Sequence, residues 1–323
     1  MKLYLSTFLL FVFYIQNGYT QIILSPQIQH TTLSNGGSVV LNISGGQQPY
    51  SVLWNDNDIS ATRTNLDVGQ YDVTITDAQN NTKSESFEIK AYMEWKDIKG
   101  ITVTGNTISK PNTGWNGGAF SINRLKQGED GCFEHTLTTT QDNYAIGLAS
   151  EDMSVHPNTT EYWIWIRNDN KVLFRQYGTT KKTLTTTALV GDKIKVEKVG
   201  TQIKVYYNEQ LKYTVSGVVD KDYFLDFSGN IINNLNLNLL TNFGYDIFPN
   251  ETINHLCFDN NFSGGIDLSN TKGGVPPYTY NWSNGSTQNQ IGVSEQGDYS
   301  VTITDGNNNT LVKTFSVNYD VIW

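Results

Sequence analysis

The strongest constraint on the fold is an internal repeat at a constant spacing of 228 residues, at which Gly45 corresponds to Gly273 and Asp77 to Asp305. Two motifs recur in both copies. The first is a Gly-Gly segment that leads through Pro-Tyr to a tryptophan, and the second is a later run, Gly-x-Tyr-x-Val-Thr-Ile-Thr-Asp. No insertion or deletion separates the copies. The chain therefore contains one module twice, on either side of a different middle segment.

The second motif of each copy predicts a half-buried strand. Apolar and polar residues alternate over 71–76 and again over 299–304, which is the period of a strand with one buried face. Turn residues follow at 77–81 and 305–309, so each strand should enter a hairpin.

The first motif predicts another short strand in each copy, at 51–54 and at 279–282. These strands end at Trp54 and Trp282, which we expect to fill the cores of small sandwiches. Stacking on a sugar is the alternative role for either tryptophan.

The pattern G-G-x-x-P-Y-x-x-x-W, followed by G-x-Y-x-V-T-I-T-D, resembles the SprB repeat, a family named after a large surface adhesin of gliding bacteria. The resemblance covers residues 25–92 and 253–319, and it is most specific at P-P-Y-T-Y-N-W-S, residues 276–283. It implies an Ig-like (immunoglobulin-like) β-sandwich. Family members often carry two cysteines. Here Cys257 stands at the first place and Asn309 at or next to the second, so the resemblance implies that this disulfide is absent.

The first twenty residues predict a cleaved secretory signal. Lys2 precedes an almost wholly apolar stretch at 3–15, which is too short to span a membrane. Small residues at Gly18 and Thr20 suit a cut before Gln21. The alternative is a buried N-terminal strand. No later stretch is long and apolar enough for a span, so we expect a secreted or cell-surface protein.

The charge balance argues against a nucleic-acid partner. The chain has 22 basic and 31 acidic residues, a net charge of −9, whereas a nucleic-acid-binding protein needs a basic face. Only 4 His and 2 Cys are present, which argues against a Cys/His zinc site and a disulfide-rich scaffold. The expected partner is an extracellular glycan or a surface protein.

The middle segment predicts further strands at 144–148, 162–166, 172–177, 193–197, 203–207, 223–227 and 235–239. The strands at 193–197 and 203–207 form a predicted hairpin with one wet face. The G-D-K-I-K-V-E run at 191–197 and I-K-V-Y-Y-N at 203–208 resemble the paired strands of concanavalin-like jelly-roll modules of bacterial surface proteins. That resemblance implies two packed antiparallel sheets with a lectin-like use.

The fold class is therefore all-β, with Ig-like sandwich repeats flanking a concanavalin-like jelly-roll sandwich. The predicted organisation is a signal at 1–20, a first repeat at 21–92, a jelly-roll module at 93–245 and a second repeat at 246–323.

No motif for catalysis is found. The chain lacks the alternating carboxylates of a concanavalin-type glycosidase strand, a Gly-x-Ser-x-Gly elbow and a phosphate-binding glycine loop. Cys132 is expected to be a small buried residue rather than a reactive thiol. If the protein is an enzyme, Glu134 and Glu161 are the first carboxylates to replace. The expected cofactor is none. Calcium is the alternative, at 56–58 or 305–309, although turn chemistry explains both runs.

Exposed aromatic side chains are the candidate ligand-binding residues of the middle module: Trp115, Trp163, Trp165, Tyr177 and Tyr206. Trp163 and Trp165 are two apart, so they should share a face. That face is either the inter-sheet core or a platform for sugar rings. The loop at 149–160, with Glu151, Asp152, His156 and Asn158, is expected to form the rim of such a site. The predicted function is adhesion or glycan binding without catalysis. The alternatives are a structural spacer of the cell surface and a polysaccharide-active enzyme.

Overall fold

Alternating sequence patterns produce strands throughout the chain. The computed structural model describes residues 21–33, 35–151, 160–231, 234–257, 264–274, 276–306 and 308–320. Within those ranges the chain forms strands and no α-helix, which confirms the predicted all-β class. No helix in them is long or apolar enough to cross a bilayer. The predicted signal at 1–20 lies outside the described residues.

The chain divides into two compact units. One consists of Met1–Gln27, Val39–Arg63 and Tyr71–Phe87, and the other of Ile28–Ser38, Thr64–Gln70 and Glu88–Trp323. The module boundaries expected from the sequence, after residues 92 and 245, remain a prediction.

The first repeat has six strands: β1 (Ile23–Gln29), β2 (Gly37–Ser44), β3 (Ser51–Trp54), β4 (Thr62–Leu66), β5 (Gly69–Thr76) and β6 (Thr82–Ile89). They form two three-stranded sheets, ordered β1-β2-β4 and β3-β5-β6. The predicted strand at 51–54 and the hairpin after 76 are confirmed. Trp54 is buried, and its ring centroid lies 6.0 Å from that of Phe87. It is therefore a core residue, as expected.

The second repeat repeats this plan. Its strands are β23 (Thr252–Asn254), β24 (Leu256–Cys257), β25 (Gly264–Asp267), β26 (Thr279–Trp282), β27 (Gln290–Val293), β28 (Gly297–Thr304), β29 (Thr310–Val317) and β30 (Tyr319–Asp320). They form sheets ordered β23-β25-β27 and β26-β28-β29, with β24 parallel to β30. Trp282 is buried 6.1 Å from Phe315, so the sugar-stacking alternative fails for it and for Trp54 alike.

The same side-chain contacts hold the turns of both repeats. The Asn81 side chain donates to Asp77 Oδ2 at 3.0 Å, and the Asn309 side chain donates to Asp305 Oδ2 at the same distance. The backbone amides of both asparagines also donate to these aspartates. Asn309, which stands at or next to a family cysteine position, is thus part of a turn that needs no disulfide.

The middle module is a sandwich of a seven-stranded and a six-stranded sheet, both antiparallel. The strands of these two sheets are β7 (Ala91–Tyr92), β8 (Trp95–Lys99), β11 (Gly117–Leu125), β12 (Gly131–Thr136), β13 (Asn143–Ala149), β14 (Tyr162–Ile166), β15 (Val172–Gln176), β16 (Thr179–Thr185), β17 (Lys193–Val199), β18 (Gln202–Tyr207), β19 (Gln210–Ser216), β20 (Tyr223–Asn230) and β22 (Asn238–Thr241). The seven-stranded sheet has the order β16-β15-β14-β13-β20-β11-β8. The six-stranded sheet has the order β19-β18-β17-β12-β22-β7. A small third sheet contains β9 (Thr102–Thr104), β10 (Thr107–Ser109) and β21 (Leu235–Asn236). The fold class predicted for this segment is confirmed.

One apolar core fills the space between the two large sheets. It contains the inward-facing residues of strands from both sheets, among them Ile146, Ile164, Val196 and Leu225. The predicted hairpin with one wet face is confirmed, because β17 pairs with β18 and only one face of each strand is buried.

Two strand predictions need correction. The alternating leucines at 235–239 do not form one strand, because β21 and β22 belong to different sheets and the Leu237 amide donates to Asn106 O between them. All three leucines are nevertheless buried, so the alternating pattern correctly predicted which residues face the interior. The strand predicted at 172–177 ends at Gln176, since Tyr177 has a φ of 44°.

Candidate binding face

The candidate site lies on the outer face of the seven-stranded sheet. Strand β14 points Tyr162, Ile164 and Ile166 into the core, so Trp163 and Trp165 point away from it. The two indole centroids lie 6.0 Å apart. The expectation that they share a face is therefore confirmed, and the inter-sheet core is excluded as their location.

The two tryptophans differ in exposure. Trp163 is only 1% exposed, although it lies outside the inter-sheet core. Its Nε1 has no hydrogen-bond partner among the described residues. Trp165 is half-buried, its Nε1 donates to Asn143 Oδ1 at 2.5 Å, and the edge of its ring meets half-buried Trp115 at a centroid distance of 6.2 Å. Trp165 and Trp115 are thus the accessible tryptophans of this group.

Small residues on the neighbouring strand make room for the indoles. Gly147 is the cross-strand partner of Trp163, and Ala145 is the partner of Trp165. A methyl group at Gly147 would lie 2.6 Å from Trp163 Cα. Glycine at this position therefore lets the Cα and Cβ of Trp163 approach strand β13 closely.

Two arginines cover the indole rings. The guanidinium of Arg175 lies 4.7 Å from the Trp163 centroid and 5.1 Å from that of Trp165. Arg167 lies 4.8 Å from the Trp165 centroid. Such contacts are attractive because a cation meets the negative face of the aromatic ring. The group formed by Trp115, Trp163, Trp165, Arg167 and Arg175 is called the aromatic–arginine cluster below.

Sequence reasoning missed the arginines and Asn143. No motif in the sequence marks Arg167 or Arg175. Only the pairing of strand β14 with strand β15 places Arg175 opposite Trp163. The available signal was charge. Residues 165–185 contain five basic residues and one acidic residue in a chain of net charge −9.

Polar groups continue the face along β20. Asp226 is paired across the sheet with Gly147, and it accepts a hydrogen bond from the Thr160 hydroxyl at 2.7 Å. Ser228 and Asp226 are both buried. The predicted rim loop falls largely on residues 152–159, which lie outside the described residues, so its place relative to this face stays a prediction.

Tyr177 lies at the end of β15 and is 59% exposed. Its hydroxyl donates to Glu161 Oε2 at 3.2 Å. Burial acts to raise the pKa of Glu161, but hydrogen bonds from Ser150 and Lys221 outweigh it and hold the pKa below its usual value. Glu161 is therefore an ionised anchor for Tyr177.

Tyr206 does not belong to this face. It lies on β18, on the outer side of the six-stranded sheet, where its hydroxyl donates to Glu197 at 3.0 Å. Lys195 lies 5.0 Å from its ring centroid. A groove of about 430 Å³ opens here, lined by Glu134, Thr136, Lys193, Lys195, Tyr206 and Leu240. The five predicted aromatics thus divide between the two sheets.

The two carboxylates named for catalysis are also divided. Glu134 lies on β12 of the six-stranded sheet and forms an ion pair with Lys90 at 2.6 Å. Glu161 precedes β14 of the seven-stranded sheet and pairs with Lys221 at 3.0 Å. Each carboxylate has a cationic partner of its own, and the two do not share a sheet.

Cys132 is buried on β12, and burial raises the pKa of its thiol to about 12. A thiol with this pKa stays protonated at neutral pH, as expected for a packing residue. The carboxylates proposed for calcium have other partners. Asp56 and Asp58 pair with Arg63, and Asp305 binds Asn309. Among the described residues no group of three or more acidic, His or Cys side chains is placed to hold a metal.

The fold defines a multi-module β-sandwich protein. Comparison with family models matches the SprB repeat at residues 34–58 and 250–287. These matches fall in the two segments that flank the middle module.

A comparison with curated protein sequences finds no match. Solved structures similar to the chain include the carbohydrate recognition domain of Emp47p (8% identity, TM-score 0.34, 46% of this chain and 87% of that one). They also include the SPRY domain of human HERC1 (12%, 0.35, 46% and 96%) and a carbohydrate-binding module, CBM66, from Bacillus subtilis (14%, 0.28, 46% and 91%). Similarities this weak carry no information about a ligand.

Proposed function

We propose that the protein is an exported surface protein that binds a glycan through the aromatic–arginine cluster, without catalysis. One observation carries the proposal: Trp165 and Trp115 are half-buried on the outer face of a sheet, where the core does not need them. Sugar-binding sites combine aromatic rings with a few polar groups that fix orientation. Asn143, Arg167 and Arg175 are such groups here. The SprB repeats support a surface location.

The positions of the two candidate carboxylates support binding without turnover. A glycosidase places two carboxylates on either side of one bond. Glu134 and Glu161, the two acids singled out in the sequence, lie at different sheets with separate cationic partners. Incubation of polysaccharides with the full chain should therefore release no reducing ends, and E134Q and E161Q should leave that result unchanged.

A glycan array with the full chain tests the proposal. Binding should appear on the array and should fall in W165A and in W115A. The matched comparison is Y206A, which removes a half-buried aromatic from the other sheet. If Y206A abolishes binding and W165A does not, the groove on the six-stranded sheet is the site and the proposal is wrong in its location. No binding to any glycan would remove the proposed activity altogether.

A spacer is the second candidate function, favoured by the segment at 242–249. The Tyr245 hydroxyl donates to Tyr92 O at 2.7 Å, and Asp246 pairs with Arg124 at 2.8 Å. Lys126 donates to Asn309 Oδ1 at 2.6 Å, and both residues line a polar cavity of about 540 Å³. The bonds of Asp246 and Asn309 tie the second repeat to the middle module, as a stiff stalk requires. A chain that binds no glycan would leave this role.

A further inference from the structure

Positive charge is concentrated at one edge of the seven-stranded sheet. Residues 165–185 contain five basic residues and one acidic residue, whereas the whole chain has 22 basic and 31 acidic residues. This segment forms the end of β14, all of β15 and the edge strand β16. The edge carries a local charge opposite in sign to that of the chain, beside the aromatic–arginine cluster.

Ion pairing inside this edge leaves a net positive charge. Asp169 is its one carboxylate, and it binds both Arg167 at 3.0 Å and Lys171 at 2.9 Å. On β16, Lys181 and Lys182 are exposed, and neither makes an ion pair within the described part of the chain. Exposed lysines in water keep their charge available to a ligand.

One lysine of β16 shares the face of the cluster. Trp165 pairs with Leu173 across β14 and β15, and Leu173 pairs with Thr183 across β15 and β16. Lys181, two residues from Thr183, lies on this outer face, whereas Lys182 pairs with the core residue Phe174 and leaves the edge strand toward the other face. Two strand spacings, about 10 Å, separate Trp165 from this part of β16, so one polymer chain laid across three strands would meet Trp165 and Lys181.

The arginines also decide which part of Trp165 a ligand meets. Arg167 and Arg175 lie over its ring within about 5 Å of the centroid. Arg167 Nε and Nη2 donate to Asp169, and Arg175 Nη2 donates to Gly178 O, so these guanidinium edges are already engaged within the protein. The arginines thus cover part of the Trp165 ring, and the exposed lysines of β16 are the charged groups open to a ligand.

Acidic groups near this edge are few. Glu161 is occupied by Ser150, Tyr177 and Lys221. Asp226 is buried beneath Thr160. Glu151, at the far end of β13, is exposed.

We propose that the ligand of this face is an acidic polysaccharide, a sugar chain that carries carboxylate or sulfate groups. Sugar units contact Trp115 and Trp165, and the acidic groups pair with the exposed lysines of the edge strand, chiefly Lys181. This inference rests on the proposed function, because it names the class of glycan for the same site.

The test measures binding of the full chain to matched polymers by affinity electrophoresis at low salt. Dextran and dextran sulfate differ only in sulfate, and polygalacturonate and its methyl ester differ only in charge at the carboxylate. The variant is K181Q/K182Q. The control is K204Q/K212Q, which removes two lysines from strands β18 and β19 of the other sheet.

We expect at least one acidic polymer to bind about tenfold more tightly than its neutral partner, and salt to weaken that binding. K181Q/K182Q should lose about fivefold or more in affinity, and K204Q/K212Q less than twofold. The acidic polymer that binds tells carboxylate from sulfate recognition.

Three outcomes overturn the inference. Equal binding to acidic and neutral polymers would do so and leave the proposed function intact. Binding to none of the polymers, with none on the array, would remove both. Equally tight binding to anionic vesicles or to a single-stranded oligonucleotide would show general attraction of anions, without a polysaccharide site.

Discussion

Gly147 lies directly opposite Trp163 across strands β13 and β14, and a side chain at Gly147 would overlap the backbone and Cβ of Trp163. The aromatic–arginine cluster therefore depends on Gly147, a residue outside the cluster. Trp163 is held in place by this close approach, and Trp163 in turn lies beside Trp165 and under Arg175.

Gly147→Ala should destabilise the protein by about 1–3 kcal/mol, because the added methyl must displace Trp163 or strand β13. Urea unfolding followed by tryptophan fluorescence measures this. The matched control is Gly292→Ala, since nothing lies within 4 Å of a methyl group there. Equal stability of the two variants would contradict the packing described for Gly147.

Trp163→Ala and Trp165→Ala should separate stability from binding. Trp163 is fully buried, so its loss should cost about 3–5 kcal/mol of unfolding free energy. Trp165 is half-buried, so its loss should cost less stability and more affinity. Urea unfolding and glycan binding are measured on both variants. A fully stable Trp163→Ala protein would mean that Trp163 is not packed as described.

The repeats were predictable almost entirely from the sequence. Strands 51–54 and 279–282 appear where the pattern placed them, and both core tryptophans are buried. The repeat made this possible, because turn residues and alternating apolar residues occur at equivalent positions in both copies and so mark the same strands twice. The side-chain bond from Asn309 to Asp305 was not foreseen, because turn residues alone do not tell which group accepts which hydrogen bond.

The candidate binding face was predictable only in part. The strand at 162–166 has bulky residues on both faces, so its sequence gives no periodic signal for which face points inward. The sequence therefore does not decide whether Trp163 and Trp165 face the core or form a platform for sugar rings. Tyr206 was grouped with them although it lies on the other sheet. Strand order is a property of long-range pairing, and a single sequence does not record it. The same reason hid Arg175, which reaches Trp163 only through the pairing of β14 and β15.

Arg63→Ile should leave stability nearly unchanged, whereas Arg63→Ala should be destabilising by at least about 1 kcal/mol more. Arg63 lies 5.0 Å from the Trp54 centroid and 5.3 Å from that of Tyr71, and its side chain is only 10% exposed. At the 228-residue offset the second repeat has Ile291, which is buried. An aliphatic side chain therefore fills this place in the same architecture.

Thermal unfolding of both Arg63 variants measures the difference. Asp56 and Asp58, the partners of Arg63, are partly exposed and can be hydrated when the guanidinium is removed. A large loss in Arg63→Ile would mean that the ion pairs, and not the buried stem over Trp54, hold this position.

Acidification should destabilise the middle module through His135. This side chain is 1% exposed, its Nε2 lies 2.8 Å from the Tyr144 hydroxyl and its Nδ1 lies 3.2 Å from Asn238 O. Burial lowers the pKa of His135 to about 4, from the ordinary value of 6.5. Between these two values the unfolded chain binds a proton that the folded chain does not. Stability should therefore fall as the pH drops from 6.5 to 4, by about 3 kcal/mol in total.

Urea unfolding at several pH values, for the natural chain and for His135→Gln, measures this contribution. The variant should be less stable at pH 7, because it loses a packed ring with two hydrogen bonds, yet it should lose less on acidification. The difference between the two pH profiles isolates His135 from His30, whose pKa burial and Lys90 also lower. Parallel profiles for the two proteins would show that His135 is protonated in the folded state as readily as in the unfolded chain, and would contradict its burial among core residues.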